Sequence, residues 1–269
     1  MNERVVVVNA GKMNYDHLLD FSVLSNDVQV YDDSTNAELI ERIQGATVVV
    51  TKEIPVGPEL LSQFPESVKL IVEAGTGYNN IDLDAARAKG ITVCNIPAYS
   101  TERVAHTAIM MLLNFASTMQ QQIGMLARGD RSNFTKHLQV PHTEVNGKTL
   151  GIIGAGHIGM AVVKVARALD MNILIHTRTP KEDSEGIRYV SLDELLAQSD
   201  YISLHCPLND KTKHLINKDT IAKMKSNAVI INTGRGALIN EADLCDALAA
   251  KRIHGAGLDV QEVEPPAED

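Results

Sequence analysis

Residues 148–159 read KTLGIIGAGHIG, and this stretch decides the fold. Leu150, Ile152 and Ile153 form a short apolar run that is typical of a buried parallel strand. From Ile158 to Leu169, apolar residues recur at the spacing of an amphipathic helix. The glycines between the two segments therefore lie in a strand-to-helix turn, which is the first turn of a βαβ unit.

The glycines of this turn, Gly154, Gly156 and Gly159, form a G-x-G-x-x-G pattern. The first glycine permits a tight turn, the second lets a pyrophosphate approach the backbone, and the third lets the helix pack on the strand. The helix N-terminus offers free N–H groups and positive dipole character to phosphates. We interpret the stretch as a dinucleotide site, and an ordinary glycine-rich turn is the alternative.

Composition excludes several other classes of protein. The 269 residues are 44% hydrophobic, which predicts a large core and about two domains. A net charge of −9 without a basic stripe argues against nucleic acid as a partner. Cys94, Cys206 and Cys245 are scattered, so neither a disulfide framework nor a metal site is indicated, and a reducing cytoplasm fits. The apolar run near residues 105–116 is shorter than a membrane span.

Residues 1–97 read as strands alternating with helical stretches, which implies βαβ units and a parallel sheet. Helices are predicted over residues 36–44 and 82–89. The strand candidates are residues 5–8, 28–31, 47–50, 70–72 and 91–94. We therefore expect a first α/β domain over residues 1–97 and a second over residues 98–269.

Glu73-Ala74-Gly75-Thr76-Gly77 directly follows a predicted strand of the first domain. Ligands of open α/β sheets bind beyond the carboxyl ends of strands. Exposed amides at Gly75, Thr76 and Gly77 would suit a small anion such as a carboxylate. Composition alone favours an ordinary turn at this place.

A connection over residues 95–101 precedes a long helix that we expect to run to Arg128, with Ser100 or Thr101 as its cap. Residues 129–145 are polar and predicted to be irregular. Beyond the glycine turn, further alternation is predicted. Strands are expected over residues 172–176, 201–204, 228–231 and 253–260, and helices over residues 191–198, 219–224 and 241–250.

The second strand of the dinucleotide unit ends in His176-Thr177-Arg178, where the fingerprint usually has an acidic residue that bonds the ribose 2′-OH. Asp170 comes too early, and Glu182 and Asp183 come late. A hydroxyl at Thr177 and a guanidinium at Arg178 suit a 2′-phosphate, so we favour NADP(H) over NAD(H). The alternative for Arg178 is a solvated loop charge.

Several stretches together resemble the D-isomer-specific 2-hydroxyacid dehydrogenase family, closest to its glycerate dehydrogenase and hydroxypyruvate reductase branch. Their order and spacing match from near residue 1 to the end. They are AGTGYNNID at 74–82, the glycine pattern at 154–159, LHCPLN at 204–209, INTGRGALIN at 231–240 and GLDVQEVEP at 257–265. The resemblance implies a Rossmann-type doubly wound parallel sheet, a smaller flavodoxin-like substrate domain, an active site in the cleft between them, and NAD(P) as cofactor.

The resemblance also implies roles for particular residues. Thr76 and Gly77 would hold the carboxylate of a small 2-keto or 2-hydroxy acid, which replaces the ordinary-turn interpretation. Arg235 would orient the keto acid, and Glu264 would pair with a catalytic histidine. Besides Gly154, Gly156, Gly159, Thr177 and Arg178, the cofactor-binding positions implied are His157, Ile158, His205, Pro207, Thr212, Thr233, Gly234 and Asp259.

One departure concerns the catalytic histidine, which in the family follows the Glu-Pro pair and is absent up to Asp269. We expect the sequence to be part of a longer protein, and a truncated inactive form is the alternative. Neither His205, at a cofactor position, nor His106, on an apolar helix, is expected to substitute. The family's habit predicts a homodimer, and the competing function is that of a dinucleotide-sensing corepressor on the same fold.

Overall fold

The computed structural model describes residues 3–264 and confirms the predicted α/β class. The chain divides into two compact units, Met1–Tyr99 and Ser100–Asp269. Sequence analysis places the boundary after residue 97, within the connection that ends at this division. No helix within residues 3–264 has both the length and the apolar character needed to span a bilayer.

The first unit contains a five-stranded parallel sheet in the order β2-β1-β3-β4-β5. All five predicted strands are present, each within a residue or so of the expected bounds. They are β1 (Arg4–Val7), β2 (Asp27–Val30), β3 (Val48–Thr51), β4 (Leu70–Glu73) and β5 (Thr92–Asn95). The order 2-1-3-4-5 is the flavodoxin-like one, as predicted.

The helices of the first unit are α1 (Asn36–Arg42), α2 (Pro58–Ser62) and α3 (Leu83–Ala88). A capping box starts α1, because Thr35 accepts from the Glu38 amide while the Glu38 carboxylate accepts from that of Thr35. Asp82 caps α3 in the same way, by accepting from Ala85. The five residues of α2 are too few to show a helical period, so sequence analysis missed this helix.

The second unit contains a six-stranded parallel sheet in the order β11-β10-β9-β6-β7-β8. Its strands are β6 (Thr149–Ile153), β7 (Asn172–His176), β8 (Ile187–Tyr189), β9 (Tyr201–Leu204), β10 (Val229–Asn232) and β11 (Gly255–Leu258). β8 has three residues and was not predicted, and β11 is shorter than the predicted strand. The strand order reverses at β6, so the glycine turn leaves the sheet at its topological switch point.

The helices of the second unit are α4 (Thr101–Ser117), α5 (Met119–Ala127), α6 (Ser132–Thr135), α7 (His157–Ala168), α8 (Leu192–Gln198), α9 (Lys218–Ile221) and α10 (Glu241–Ala249). Five of them, α4, α7, α8, α9 and α10, contribute buried residues to the core on the sheet, whereas α5 has one buried residue and α6 none. The otherwise irregular stretch predicted over residues 129–145 thus contains one helical turn.

The long helix predicted to reach Arg128 is wrong, because the chain breaks at Thr118 into α4 and α5. Thr118 adopts the left-handed conformation with φ +50°. Its buried hydroxyl lies 2.7 Å from the Pro141 carbonyl and donates to it, which fixes the break. The expected cap is also wrong, since Ser100 makes no side-chain capping bond to α4.

Candidate active site

The carboxyl ends of the strands in the second unit lie side by side. Ile153 pairs with both His176 and Leu204, and Asn232 pairs with both Leu204 and Leu258. The predicted cofactor-binding residues follow these strands directly, so their loops leave the same edge of the sheet. They are the glycine turn after β6, Thr177 and Arg178 after β7, His205 and Pro207 after β9, Thr233 and Gly234 after β10, and Asp259 after β11.

The three glycines of the turn differ in what surrounds them. Gly154 has φ +101°, and a Cβ there would lie 2.6 Å from the amide nitrogen of Cys206. A Cβ on Gly159 would lie 2.2 Å from the carbonyl oxygen of Gly154. Gly156 has no heavy atom within 4 Å of the place of its Cβ, so open space borders the backbone at this residue alone of the three.

This turn and its neighbours fit a dinucleotide. Gly156 is the N-cap of α7 and provides no side-chain capping bond, so the first-turn amides of His157 and Ile158 are available to an anion. In the loop after β10, which lies two strands from β6 in the sheet, the buried hydroxyl of Thr233 has no hydrogen-bond partner among residues 3–264. A buried polar group without a partner is costly, and a ligand amide would satisfy it.

Asn232 holds the loop that carries Arg235. Its side chain is fully buried, accepts from the Gly234 amide at 3.1 Å and donates to the Arg235 carbonyl at 2.9 Å. Its own carbonyl accepts from the Asp259 amide at 3.0 Å, which ties the next loop to this one. Sequence analysis missed Asn232, although a polar residue that ends the apolar run of β10 is a usable signal.

The Arg235 guanidinium is partly buried and donates to the Gly234 carbonyl at 2.9 Å. The backbone at Arg235 is extended and therefore unstrained. The close packing of Gly236, where a Cβ would lie 1.9 Å from the Gln261 backbone, fixes the following residue. The loop therefore presents Arg235 from a rigid base.

A hydrogen bond of 2.8 Å joins Nε2 of His205 to the hydroxyl of Ser203. Burial lowers the pKa of His205 to about 4, so the ring is neutral at physiological pH and a poor proton donor. Thr212 fastens the same loop, because its hydroxyl donates to the Pro207 carbonyl at 2.7 Å and accepts from the Asn209 amide at 2.8 Å. Ser203 was missed by sequence analysis.

The lowered pKa of His205 predicts a pH dependence of stability. Between pH about 4 and 6.5 the unfolded chain binds a proton that folded His205 does not, so stability falls as pH falls through that window. We expect His205→Gln to flatten the urea-unfolding free energy against pH there. His106→Gln, at an exposed position on α4, should leave the slope in place. Equal slopes in the His205→Gln variant and the wild type would contradict the assignment.

Thr177 and Arg178 follow β7, and Arg178 is exposed. Among the acidic residues that follow, Asp183 accepts from the amide of Tyr189, the last residue of β8, at 2.7 Å. The end of β7 therefore carries a cation and a hydroxyl, while this carboxylate is engaged elsewhere.

Glu264 lies exposed beyond β11, and its carboxylate accepts from the Gln261 amide at 2.9 Å. It is the neighbouring Glu262 that meets a histidine, because its carboxylate lies 2.8 Å from Nε2 of His214. The structure thus places a His–Glu pair in this loop that sequence analysis did not single out.

In the first unit, backbone carbonyls of the loop after β4 accept hydrogen bonds from residues at and just after the end of β5. Ile96 donates to the Gly75 carbonyl at 3.0 Å, and the Asn95 side chain donates to that of Thr76 at 2.7 Å. The amides of Gly75, Thr76 and Gly77 donate to no acceptor within residues 3–264. These amides are therefore available to a carboxylate, for which successive backbone N–H groups form suitable cradles.

A doubly wound sheet with this glycine turn at its switch point defines a dinucleotide-binding α/β protein. Comparison with known proteins narrows the class. Residues 109–269 match the family model described as the D-isomer specific 2-hydroxyacid dehydrogenase, NAD binding domain. The chain belongs to the D-isomer specific 2-hydroxyacid dehydrogenases, oxidoreductases that transfer a hydride between a nicotinamide dinucleotide and a 2-keto or 2-hydroxy acid.

One relative is a hydroxypyruvate reductase from Blautia hydrogenotrophica, 41% identical over 232 residues that cover 85% of this chain and 72% of the relative. A D-lactate dehydrogenase from Aquifex aeolicus, solved with NAD and lactic acid, has a TM-score of 0.88 and 31% identity. The match covers 99% of this chain and 82% of that one. An acyclic imino acid reductase, solved with NADPH and D-Arg, has a TM-score of 0.83 and 27% identity, covering 98% and 85%.

Proposed function

We propose that this protein reduces a small 2-keto acid, of the hydroxypyruvate or glyoxylate type, and oxidises the corresponding D-2-hydroxy acid in reverse. The observation that carries the proposal is the Asn232-held loop, which presents Thr233 and Arg235 beside the open glycine turn of one sheet edge. The similarity to a hydroxypyruvate reductase supports this choice of substrate. A reducing cytoplasm is the proposed compartment.

The dinucleotide would lie along the carboxyl edge of the second sheet. Amides of His157 and Ile158 would bind its diphosphate where Gly156 leaves room, and His205, Pro207 and Thr212 would line the adenosine half. Thr233, Gly234 and Asp259 would hold the nicotinamide, Asp259 through its carboxamide. When bound, this group supplies the hydride for the keto carbon.

The substrate carboxylate would accept hydrogen bonds from the amides of Thr76 and Gly77. The Arg235 guanidinium would bind the keto oxygen and stabilise the charge that develops on it during reduction. That oxygen must gain a proton, for which an imidazole of near-neutral pKa suits. Glu264 would orient such an imidazole and raise its pKa. His205 is unsuited to this role, because burial keeps its pKa at about 4.

The test is the oxidation of NADPH and NADH by the full encoded protein with hydroxypyruvate and with glyoxylate, followed by nicotinamide absorbance. We expect turnover with at least one of the two keto acids and product of the D configuration. Dinucleotide binding without turnover of either acid would contradict the proposal and support a dinucleotide-sensing role like that of a corepressor.

We further propose a preference for NADPH, supported by the exposed Arg178 and the half-buried Thr177 after β7 and by the NADPH complex of one structural relative. Arg178→Ala should weaken NADPH binding about tenfold or more and change NADH binding little, because a guanidinium–phosphate pair is lost only with NADPH. Arg167→Ala, at the far end of α7, is the matched control. Equal weakening of both dinucleotides in titration calorimetry would contradict the preference.

A homodimer through the second unit is also proposed. An open apolar groove of about 1280 Å³ runs along α4 and α5, whose exposed side chains include Met110, Ile123 and Leu126. Ile123→Asp should shift sedimentation toward the monomer because a charge would enter the apolar contact. Val23→Asp, at an exposed apolar position of the first unit, should not. A wild-type protein that sediments as a monomer would exclude the dimer.

A further inference from the structure

Three loops of the first unit meet at one edge of its sheet. Thr51 at the end of β3 pairs with Glu73 at the end of β4, and Glu73 pairs with Asn95 at the end of β5. The strand order is β3-β4-β5, so the loop after β4, which carries the amides of Thr76 and Gly77, lies between the other two. Lys52 begins the loop on one side, and Tyr99 ends the segment on the other.

The side chain of Lys52 contacts that of Tyr99, the residue on the other side of the middle strand. Its Nζ lies 3.4 Å from the Tyr99 hydroxyl and 5.7 Å from the centre of the tyrosine ring. Strands two apart in a sheet are separated by about 10 Å, a span that a lysine and a tyrosine close only by meeting over the strand between them. The strand order thus puts the contact between Lys52 and Tyr99 at the sheet edge from which the β4 loop leaves.

The backbone of Lys52 is held from both sides. The buried Asn9 side chain donates to the Lys52 carbonyl at 2.6 Å and accepts from its amide at 3.0 Å. The next residue, Glu53, adopts the left-handed conformation with φ +60°, and its amide donates to the buried Glu73 carboxylate at 2.9 Å. The surroundings must enforce this conformation in a non-glycine residue, so the start of the loop is fixed.

The ammonium itself is well placed to bind an anion. The Lys52 side chain is only 19% exposed, and its nearest carboxylate, that of the exposed Glu53, lies 3.7 Å away. An ammonium has three donors, and among residues 3–264 the Tyr99 hydroxyl is the acceptor seen for one of them. A partly buried ammonium is stabilised by a further acceptor, and most strongly by a charged one.

We propose that Lys52 is a specificity-determining residue that binds the substrate carboxylate together with the amides of Thr76 and Gly77, with Tyr99 holding the ammonium in place. This inference rests on the proposed reduction of a 2-keto acid. The family resemblance assigns only the backbone amides of Thr76 and Gly77 to this part of the site in the first unit. Lys52 adds a formal positive charge to them. The substrate class it selects is the carboxylic acid with a free anionic C1 group.

The test compares Lys52→Met with Lys69→Met, which removes the same charge at the opposite, amino-terminal edge of β4. We expect Lys52→Met to raise KM about tenfold or more for hydroxypyruvate and for glyoxylate alike, because the two acids share only the 2-keto carboxylate. The Kd of NADPH should stay unchanged, and Lys69→Met should behave as wild type. Tyr99→Phe should raise both KM values by less than Lys52→Met does.

Binding provides a second readout that does not depend on turnover. Calorimetric titration of oxalate, an unreactive carboxylate, into NADPH-saturated protein should show the same loss of affinity in Lys52→Met and recovery in Lys52→Arg. Unchanged KM and oxalate affinity would overturn the proposal, and so would a rise confined to hydroxypyruvate, which would assign Lys52 to the third carbon. A wild type that turns over neither acid and binds no oxalate would instead refute the proposed function.

Discussion

Gly156→Ala is expected to weaken the binding of NADPH and NADH while leaving the melting temperature unchanged. The backbone at Gly156 is extended, with φ −77°, and within residues 3–264 no heavy atom beyond its chain neighbours lies within 4 Å of the place of a Cβ. The added methyl therefore strains nothing in the protein, but it enters the space that a diphosphate needs. Overpacking of this kind costs about 1–3 kcal/mol, which corresponds to an increase in Kd of about 5- to 150-fold.

Gly57→Ala is a close match for this change. Gly57 is also the N-cap of a helix, has φ −83° and has nothing within 4 Å of its Cβ, but it lies before α2 in the first unit. Titration calorimetry and thermal unfolding of both variants separate binding from folding. If Gly156→Ala bound both dinucleotides as the wild type does, the diphosphate would not lie against this residue and the proposed cofactor site would be wrong.

A third glycine substitution shows why the pair is informative. A Cβ on Gly159 would meet the Gly154 carbonyl oxygen at 2.2 Å, so Gly159→Ala disturbs the packing of α7 on β6 itself. Loss of binding in that variant would not distinguish a damaged turn from a blocked site. Only at Gly156 does the structure separate the two effects.

Much of the fold follows from the sequence, because the central strands, such as β3, β6, β9 and β10, are largely buried and read as apolar runs. The short elements did not follow. The three residues of β8 and the five of α2 are too few to show a period, and tertiary contacts form them. The break at Thr118 is set by a bond to Pro141, which lies 23 residues away and leaves no local signal.

The candidate site divides in the same way. The glycine turn and the loop after β4 are contiguous, so their residue types alone suggest a role. Lys52 acts through a contact with Tyr99, which lies 47 residues away, and only the tertiary structure shows it. The side-chain bonds of Asn232 are local, to Gly234 and Arg235, but residue type alone does not assign them. Long-range pairing therefore limits what sequence patterns reveal of a site that is built from several loops.

Arg235→Ala is expected to cost far more in turnover of a keto acid than in dinucleotide binding. Loss of a donor that stabilises the charge developing on the substrate oxygen lowers kcat by about 10²–10³-fold. The Kd of NADPH should change less than about twofold, because Asn232 holds this loop through backbone atoms that the substitution retains. Arg235→Lys should recover a small part of the loss, since an ammonium keeps the charge without the two-pronged geometry.

Arg252 provides the contrast that separates chemistry from structure. Its guanidinium donates to the carbonyls of Ala222 and Met224 in the same unit, the latter at 2.8 Å, so Arg252→Ala should lower the melting temperature and spare kcat. Steady-state kinetics, NADPH titration and thermal unfolding of the two variants give each its own pattern. Matching losses of turnover, binding and stability in Arg235→Ala would show that Arg235 is structural, because its bond to the Gly234 carbonyl would then be its main contribution.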